Sequence, residues 1–241
     1  MRIHVINPNS TASMTAQIGR AAELAASPGT TIDLVTASGT PVSIEGYADE
    51  ALAVPAMLSA IRAAEARGAT AHVIACFDDP GLHAAREVAS GPVIGICQAA
   101  LQVAMTLSSR FSVVTTVSRS VPIIEDLVNG YGAGRHCRRV RAIDLPVLAL
   151  EQDMPRSCSL IAAEIRAARH HDGVEAIVLG CAGMAELCER LTAETGVPVI
   201  DGVTAAVRLA EAMVGMGYGT SKLGGYAWPN NKTGGFAPEV A

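Results

Sequence analysis

The sequence predicts an α/β protein with two pseudo-symmetric lobes, each a mainly parallel sheet flanked by helices. Two observations lead to this fold class. Short apolar runs alternate with helical patterns along the whole chain, which is typical of parallel βαβ units. Half of the residues are apolar but only 3% are aromatic, so Ala, Val, Ile and Gly fill the core. Such a core suits parallel strands that pack closely against helices.

The first half of the chain contains an alternation of predicted strands and helices. Each strand is a short apolar run, and turn residues such as Pro28-Gly29 or Gly68 end the helices. Asp79 is predicted to cap the third helix, with Pro80 in its first turn. The strands cover residues 3–6, 31–35, 72–75 and 93–96, and the helices cover residues 13–26, 48–67, 81–89 and 98–109.

The same order restarts at residue 111. Strands are predicted over residues 111–115, 140–143, 176–179 and 197–200, and helices over residues 121–129, 158–170, 184–195 and 204–216. The tail, residues 220–241, is rich in Gly, Asn and Pro, and we expect it to wrap over the body or over a neighbouring subunit. The first lobe is predicted to comprise residues 1–97 together with 204–241, and the second lobe residues 98–203.

Two cysteines occupy matching places in the two halves. Cys76 and Cys181 each follow an apolar run, and each precedes turn residues and then a helical pattern. Each helix leads to a second apolar run, residues 91–95 in one half and 197–201 in the other. Sequence identity between the halves is low, so the match predicts a structural repeat. The alternative is that the match reflects only the alternation of strands and helices that any α/β chain shows, without a duplication.

The composition argues against several classes of function. The net charge of −5 and the lack of a basic stripe make nucleic acid an unexpected partner. No apolar run approaches the roughly 18 residues of a membrane helix, and the chain begins with a strand-like run rather than a targeting segment. The six cysteines are scattered, without a CxxC pair or metal-ligand spacing. We therefore expect a cytoplasmic protein with reduced thiols, no metal and no membrane partner.

The predicted strand ends carry mostly small hydrogen-bonding groups. Ligands of open α/β sheets bind beyond the carboxyl ends of the strands, and Arg119 is the one basic residue directly in these loops. Such a set suits a neutral or weakly acidic polar ring, because a phosphate or dicarboxylate calls for basic residues. Besides Cys76 and Cys181, the residues expected to bind the substrate are Asn9, Ser10, Ser43, Ile44, Phe77, Thr115, Thr116, Ala182 and Gly183.

The two thiols suit proton transfer at a carbon atom. A free thiol has a pKa of about 8.5, and a nearby helix N-terminus lowers it. Cys76 and Cys181 are each predicted one turn before a helix. A thiolate and a thiol on opposite faces of an acidified C–H bond exchange roles with the direction of reaction. No cofactor is needed if the carbonyl groups of the substrate delocalise the carbanion.

Other titratable residues have simpler interpretations. Asp78-Asp79 is interpreted as helix capping, and His72 as a hydrogen-bonded strand histidine. Glu45 is either a turn residue or a border of the site. The remaining cysteines are predicted to be inert packing residues: Cys97, Cys137, Cys158 and Cys188.

These motifs resemble the hydantoin racemase branch of the aspartate/glutamate racemase superfamily. The resemblance rests on the segments Asn7-Pro-Asn-Ser-Thr11 and Ser43-Ile-Glu-Gly46, on the two cysteine motifs and on residues 111–116, 198–202 and 220–222, and it covers nearly the whole chain. It implies two α/β lobes with the active site in the cleft between them. It also implies cofactor-independent racemisation by Cys76 and Cys181, and a homo-oligomer, often a tetramer.

The resemblance also implies a substrate. Hydantoin racemases invert 5-monosubstituted hydantoins, in which the C4 carbonyl acidifies the C5 proton and the carbanion becomes an enolate. The hydroxyls of Thr115, Thr116 or Ser10 and the N–H groups near Phe77 and Gly183 are candidates to stabilise that enolate. Ile44 and Phe77 are expected to form the wall around the C5 substituent.

Four alternatives stay open. Allantoin racemase is a close relative with the same two-cysteine layout and differs only around C5. An amino-acid racemase of the superfamily would need anchors for a carboxylate and an ammonium group. A small-ligand binding protein has no need of matched thiols. A thiol redox protein would require Cys76 and Cys181 to pair as a disulfide.

Overall fold

Two four-stranded parallel sheets organise the chain in the computed structural model, which describes residues 1–230. The first contains β1 (Arg2–Asn7), β2 (Thr31–Thr36), β3 (Ala71–Ile74) and β4 (Val93–Gly95), and the second contains β5 (Phe111–Thr115), β6 (Cys137–Ala142), β7 (Ala176–Leu179) and β8 (Val199–Ile200). The strand orders are β2-β1-β3-β4 and β6-β5-β7-β8. The equivalent order confirms the predicted α/β class and agrees with a structural repeat.

Helices cover the sheets, and most begin within a few residues of the predicted positions. The largest differences, four residues in each case, concern the helix predicted over residues 184–195, which begins at Cys188, and the helix predicted over residues 158–170, which begins at Met154. The latter helix starts earlier because the carboxylate of Asp153 accepts a hydrogen bond from the N–H of Arg156 at 3.0 Å, and Pro155 favours the first turn. The helices are α1 (Ala12–Ala25), α2 (Tyr47–Ala66), α3 (Leu82–Val88), α4 (Ile96–Leu107), α5 (Val121–Gly130), α6 (Ala149–Gln152), α7 (Met154–Asp172), α8 (Cys188–Thr195) and α9 (Gly202–Gly215). None in the described residues is long and apolar enough to cross a membrane.

The two sheets share one apolar core. Val5 of β1 and Val113 of β5 belong to the same buried cluster. The alternate residues point to the opposite faces of their sheets, where Ile6 packs in one cluster and Val114 in another. Because side chains alternate across a strand, each central strand contributes to the shared core and to the outer layer of its own lobe. The shared core fixes the position of one set of strand ends relative to the other.

The predicted lobe boundaries stay a prediction. The helix α9 packs against α1, β3 and β4 of the first lobe, whereas α4 contacts α9 on one side and β7 of the second lobe on the other, so it lies between the two lobes. The predicted tail begins against the loop between α3 and β4, where the hydroxyl of Thr220 donates to the carbonyl of Gly91 at 2.7 Å. The ammonium group of Lys222 donates to the carbonyl of Arg86 at 2.6 Å. The rest of that tail, residues 231–241, lies outside the described residues.

The prediction that Asp79 caps the third helix is wrong. Gly81 holds the N-cap position of α3 and no side chain bonds there. The carboxylate of Asp79 instead accepts hydrogen bonds from the N–H groups of Cys97 and Gln98, at 3.0 and 2.9 Å, in the first turn of α4. This happens because the loops after β3 and β4 meet at the same sheet edge, so the nearest free N–H groups belong to a helix distant in sequence.

Candidate active site

Cys76 and Cys181 line one cleft between the carboxyl ends of the two sheets. Ile74 of β3 pairs with Ile6, and Cys76 stands two residues later. Leu179 of β7 pairs with Val114, and Cys181 also stands two residues later. The pairing register therefore places both sulfurs at equivalent strand ends, and both are free thiols.

Loops from both lobes form the walls of this cleft. Six of the nine predicted binding residues line it together with the cysteines: Asn9, Ile44, Phe77, Thr115, Thr116 and Ala182. Ser10, Ser43 and Gly183 do not contribute to the lining, although they lie in the same loops. The residues of the lining that were not predicted are Met14, Ala75, Asp78, Ser120, Val147 and Gly180.

Burial raises the pKa values of both thiols, which differs from the lowering expected from helix N-termini. For Cys76, burial is the main cause of a pKa well above the usual value, and the Asp78 carboxylate adds to it. Burial raises the pKa of Cys181 to about 12, even though the N–H of Gly183 favours the thiolate. The N–H groups of Asp78 and Gly183 favour the thiolates of Cys76 and Cys181, respectively, but their effect is smaller than the cost of removing a thiolate from water.

The polar side chains of the cleft are held by the protein to different degrees. The hydroxyl of Thr115 donates to the carbonyl of Gly180 at 3.0 Å, so its hydrogen does not point to a substrate. The oxygen of the Asn9 amide accepts from the side chain of Asn7 and from the N–H of Thr11, both at 2.9 Å. These bonds fix the amide of Asn9 at the cleft wall. Thr116 is 2% exposed and lines the cleft beside it.

The cleft is small, and Glu45 borders it. It encloses about 30 Å³. The carboxylate of Glu45, in the first lobe, accepts a hydrogen bond from the N–H of Val147 in the second lobe at 3.0 Å. The hydroxyl of Ser120 donates to the carbonyl of Glu45 at 3.3 Å. Glu45 therefore borders the site and joins its two walls.

Comparison with known proteins identifies the family of this chain. The sequence model of the Asp/Glu/Hydantoin racemase family matches residues 3–210. The chain belongs to this racemase family.

Members of the family resemble this chain over nearly its whole length. A hydantoin racemase of Rhizobium meliloti is 66% identical over 232 residues, which cover 96% of each chain. The structure of an allantoin racemase from Klebsiella pneumoniae has a TM-score of 0.95 and 49% identity, covering 98% of this chain and 96% of that one. That of an allantoin racemase from Pseudomonas fluorescens has a TM-score of 0.93 and 41% identity, covering 97% and 99%. The protein is therefore an isomerase.

The sequence contained a signal for some of the cleft-lining residues that were not predicted. Val147 follows β6 as Ile44 follows β2, so the repeat itself points to it. Ser120 follows β5, at another carboxyl strand end. Asp78 was interpreted as a capping residue because a pair of aspartates before a helix has that meaning in most chains. In residues 1–230, no group of three or more His, Cys, Asp or Glu side chains is arranged to hold a metal ion.

Proposed function

We propose that the protein racemises 5-monosubstituted hydantoins by proton transfer between C5 and the thiols of Cys76 and Cys181. The observation that carries this proposal is the placement of the two cysteines at equivalent strand ends of opposite lobes, in one cleft. The family and the 66% identity with a hydantoin racemase support the reaction and the substrate class. No cofactor takes part in the proposed reaction.

The proton transfer has two steps. A thiolate on one face of the ring takes the C5 proton, so the C–H bond breaks, an S–H bond forms and the electron pair moves onto the C4 oxygen as an enolate. The thiol on the other face then gives its proton to C5, and the enolate returns to the carbonyl. The ring leaves with inverted configuration, and the two sulfurs have exchanged their protonation states.

The cleft favours a neutral polar ring. Its described lining contains the amide of Asn9, the hydroxyls of Thr116 and Ser120 and backbone groups, but no lysine or arginine. Thr115 donates to Gly180 and Ser120 donates to Glu45. One N–H of the Asn9 amide donates to the sulfur of Met14 at 3.0 Å, so its second N–H and the hydroxyl of Thr116 are the side-chain donors available to the enolate. The lack of cations in the lining argues against an amino-acid substrate, which would need an anchor for its carboxylate.

Substrate entry requires the cleft to widen. The cleft encloses about 30 Å³ in the structure, which is little space for a substituted hydantoin. The loop that carries Ile44 and Glu45 spans the cleft through the hydrogen bond to Val147. We expect this bond to break when the substrate enters and to form again around it, which excludes water from the enolate.

The test of the proposal is racemisation in D2O without added metal. L-5-benzylhydantoin is incubated with the wild type, and optical rotation and deuterium at C5 are followed. Replacement of Cys76 or Cys181 by Ala is expected to abolish racemisation, whereas Cys188→Ser is the matched control because Cys188 is half-buried but does not line the cleft. A double alanine variant that still racemises would contradict the mechanism.

Single Cys→Ser variants give a sharper result. One remaining thiol can remove and return the proton on one face only. Cys76→Ser and Cys181→Ser are therefore expected to exchange the C5 proton of opposite enantiomers with solvent, without full racemisation. If both variants exchange the same enantiomer, the two thiols do not face opposite sides of the ring.

Allantoin is the second candidate substrate. The structures of two allantoin racemases match this chain with TM-scores of 0.95 and 0.93, and allantoin is itself a hydantoin with a ureido group at C5. The relative rates on enantiopure allantoin and L-5-benzylhydantoin decide between the two. We also expect a homo-oligomer, as the resemblance implies, which light scattering of the purified protein tests.

A further inference from the structure

A two-thiol racemase has to reset its protons between turnovers. After one inversion the thiol that began as the base carries a proton, and its partner is a thiolate. A second inversion in the same direction needs the opposite arrangement. A proton must therefore leave one sulfur and another must reach its partner, and this requirement rests on the proposed two-thiol mechanism.

Asp78 lies between the cleft and a second, outer pocket. It stands two residues after Cys76 and lines the cleft that holds both sulfurs. It also lines a separate pocket of about 580 Å³ on its other side. Among the described lining residues, Asp78 is common to the two cavities.

The carboxyl group of Asp78 is buried and has no fixed partner. The residue is 7% exposed. No side chain or backbone group within residues 1–230 forms a hydrogen bond with its carboxylate, in contrast to the neighbouring Asp79, which accepts from Cys97, Gln98 and Tyr131. Its oxygens are not among the fully enclosed side-chain atoms without a partner, so they contact the two cavities and can exchange protons with water there.

The outer pocket carries titratable groups of both signs, since His83 and Arg86 line it together with Glu50, Asp79 and Asp126. Glu50 lines it, and the Oε1 atom of Glu50 is buried without a hydrogen-bond partner in the described chain. The charged groups that act on Asp78 are Glu50, Asp79 and Asp49, and burial is the main cause that raises the pKa of Asp78 to about 8. Asp78 itself acts on both Cys76 and Cys181. A group that titrates near neutral pH between a thiol and solvent is suited to take up and release protons.

We propose that Asp78 exchanges protons between Cys76 and the outer pocket, and so resets the thiol pair between turnovers. In one direction the S–H bond of Cys76 breaks and the proton moves to the Asp78 carboxylate, which leaves the Cys76 thiolate. The carboxylic acid then gives the proton to water or buffer in the outer pocket. Cys181, left as a thiolate by the previous turnover, takes a proton from water that enters the opened cleft. In the other direction the same steps run in reverse.

The test separates proton reset from racemisation itself. In Asp78→Asn, kcat is expected to fall at least about tenfold, because the reset limits turnover at saturating substrate. Loss of the Asp78 charge also lowers the pKa values of the thiols, so kcat/KM is compared at equal distance from the midpoint of each pH profile. There kcat/KM is expected to change by less than about threefold, because it reports the steps from free enzyme to the first inversion. Imidazole, a small buffer that fits the outer pocket, is expected to restore kcat in a concentration-dependent way.

Two variants serve as comparisons. Asp78→Glu keeps a carboxyl group and is expected to retain most of kcat. Asp126→Asn removes a carboxylate that lines the outer pocket but not the cleft, and both kinetic constants are expected to stay at the wild-type values. Wild type that racemises no substrate refutes the proposed function, whereas active wild type with an unchanged kcat in Asp78→Asn refutes the role of Asp78 alone.

The kinetic pattern also excludes a merely structural role. Equal losses in kcat and kcat/KM without rescue by imidazole would overturn the proposal. Asp78→Asn is expected to be at least as stable as wild type above pH 8, because the ionised Asp78 is a cost of folding there. If Asp78→Asn does not fold, Glu50→Gln at the outer end of the pocket is expected to lower kcat by a smaller factor, and imidazole is expected to restore it. A Glu50→Gln variant with unchanged kcat would equally overturn the proposal.

Discussion

Gly180 offers the most direct test of how the structure positions Cys181. A Cβ atom at Gly180 would stand 2.8 Å from the Cβ of Thr115 and 3.1 Å from its Cα and Oγ1. Carbon atoms in contact prefer about 3.5–4.0 Å, so Gly180→Ala forces the two strand ends apart by about 0.7 Å or more. Gly180 directly precedes Cys181, so this displacement moves the sulfur.

The expected cost has a kinetic and a thermodynamic part. Overpacking of this kind costs about 1–3 kcal/mol, which lowers Tm by about 2–4 °C for each kcal/mol in a chain of this size. A shift of about 1 Å in a reacting group reduces the rate by about 100-fold. Polarimetry of hydantoin racemisation and thermal unfolding followed by circular dichroism measure the two effects.

Gly183→Ala is the matched control for stability. A Cβ atom at Gly183 would lie 3.6 Å from the side chain of Leu150 and 3.8 Å from the sulfur of Cys181, which are ordinary contacts. The Tm of Gly183→Ala is expected to stay within about 2 °C of wild type. This limit corresponds to a change in the free energy of unfolding of less than about 1 kcal/mol, since each kcal/mol shifts Tm by about 2–4 °C. The reasoning is refuted if Gly180→Ala keeps wild-type activity and Tm, or if both variants lose the same stability.

Three further predictions concern pH and closure of the cleft. Because burial raises the pKa of Cys76 well above its usual value and that of Cys181 to about 12, kcat/KM is expected to rise continuously from pH 7 to pH 9, and a plateau below pH 8 would contradict this. Glu45→Ala removes the hydrogen bond to Val147 and is expected to lower kcat/KM about tenfold, whereas Glu45→Gln, which keeps an acceptor, should lose less. Burial, with His72 nearby, lowers the pKa of His4 to about 4, so the unfolded chain gains a proton below about pH 6.5 that the folded chain does not. Stability is therefore lost as pH falls from 6.5 toward 4, and denaturant titrations of His4→Asn should show a flatter dependence, by up to about 1.4 kcal/mol per pH unit.

Local patterns were sufficient to predict the fold and the position of both thiols. Alternating apolar runs and helical patterns specify parallel βαβ units, and the carboxyl-end rule then places Cys76 and Cys181 in one cleft. The repeat added the information that the two positions are equivalent. These inferences depend on spacing along the chain, which the sequence contains.

The missed features depend on contacts between segments distant in sequence. Asp79 caps α4 rather than α3 because two loops meet at one sheet edge. Glu45 reaches Val147 only because the lobes are held together by a shared core. The pKa values of the thiols were expected to fall because helix N-termini are visible in a sequence, whereas the extent of burial that raises them is not.

Closure of the cleft and the basicity of the thiols are linked by the same physical effect. A thiolate forms most readily in the open cleft, where water stabilises its charge. In the proposed mechanism the bond between Glu45 and Val147 forms again around the substrate; burial and the Glu45 carboxylate then both disfavour the thiolate of Cys181, which makes it a stronger base toward the C5 proton. High pKa values in the closed structure are therefore compatible with thiolate chemistry, provided that deprotonation precedes closure. This order predicts that the pH profile of Glu45→Ala lies at lower pH than that of wild type, because the cleft of that variant is less able to hold the thiolate away from water.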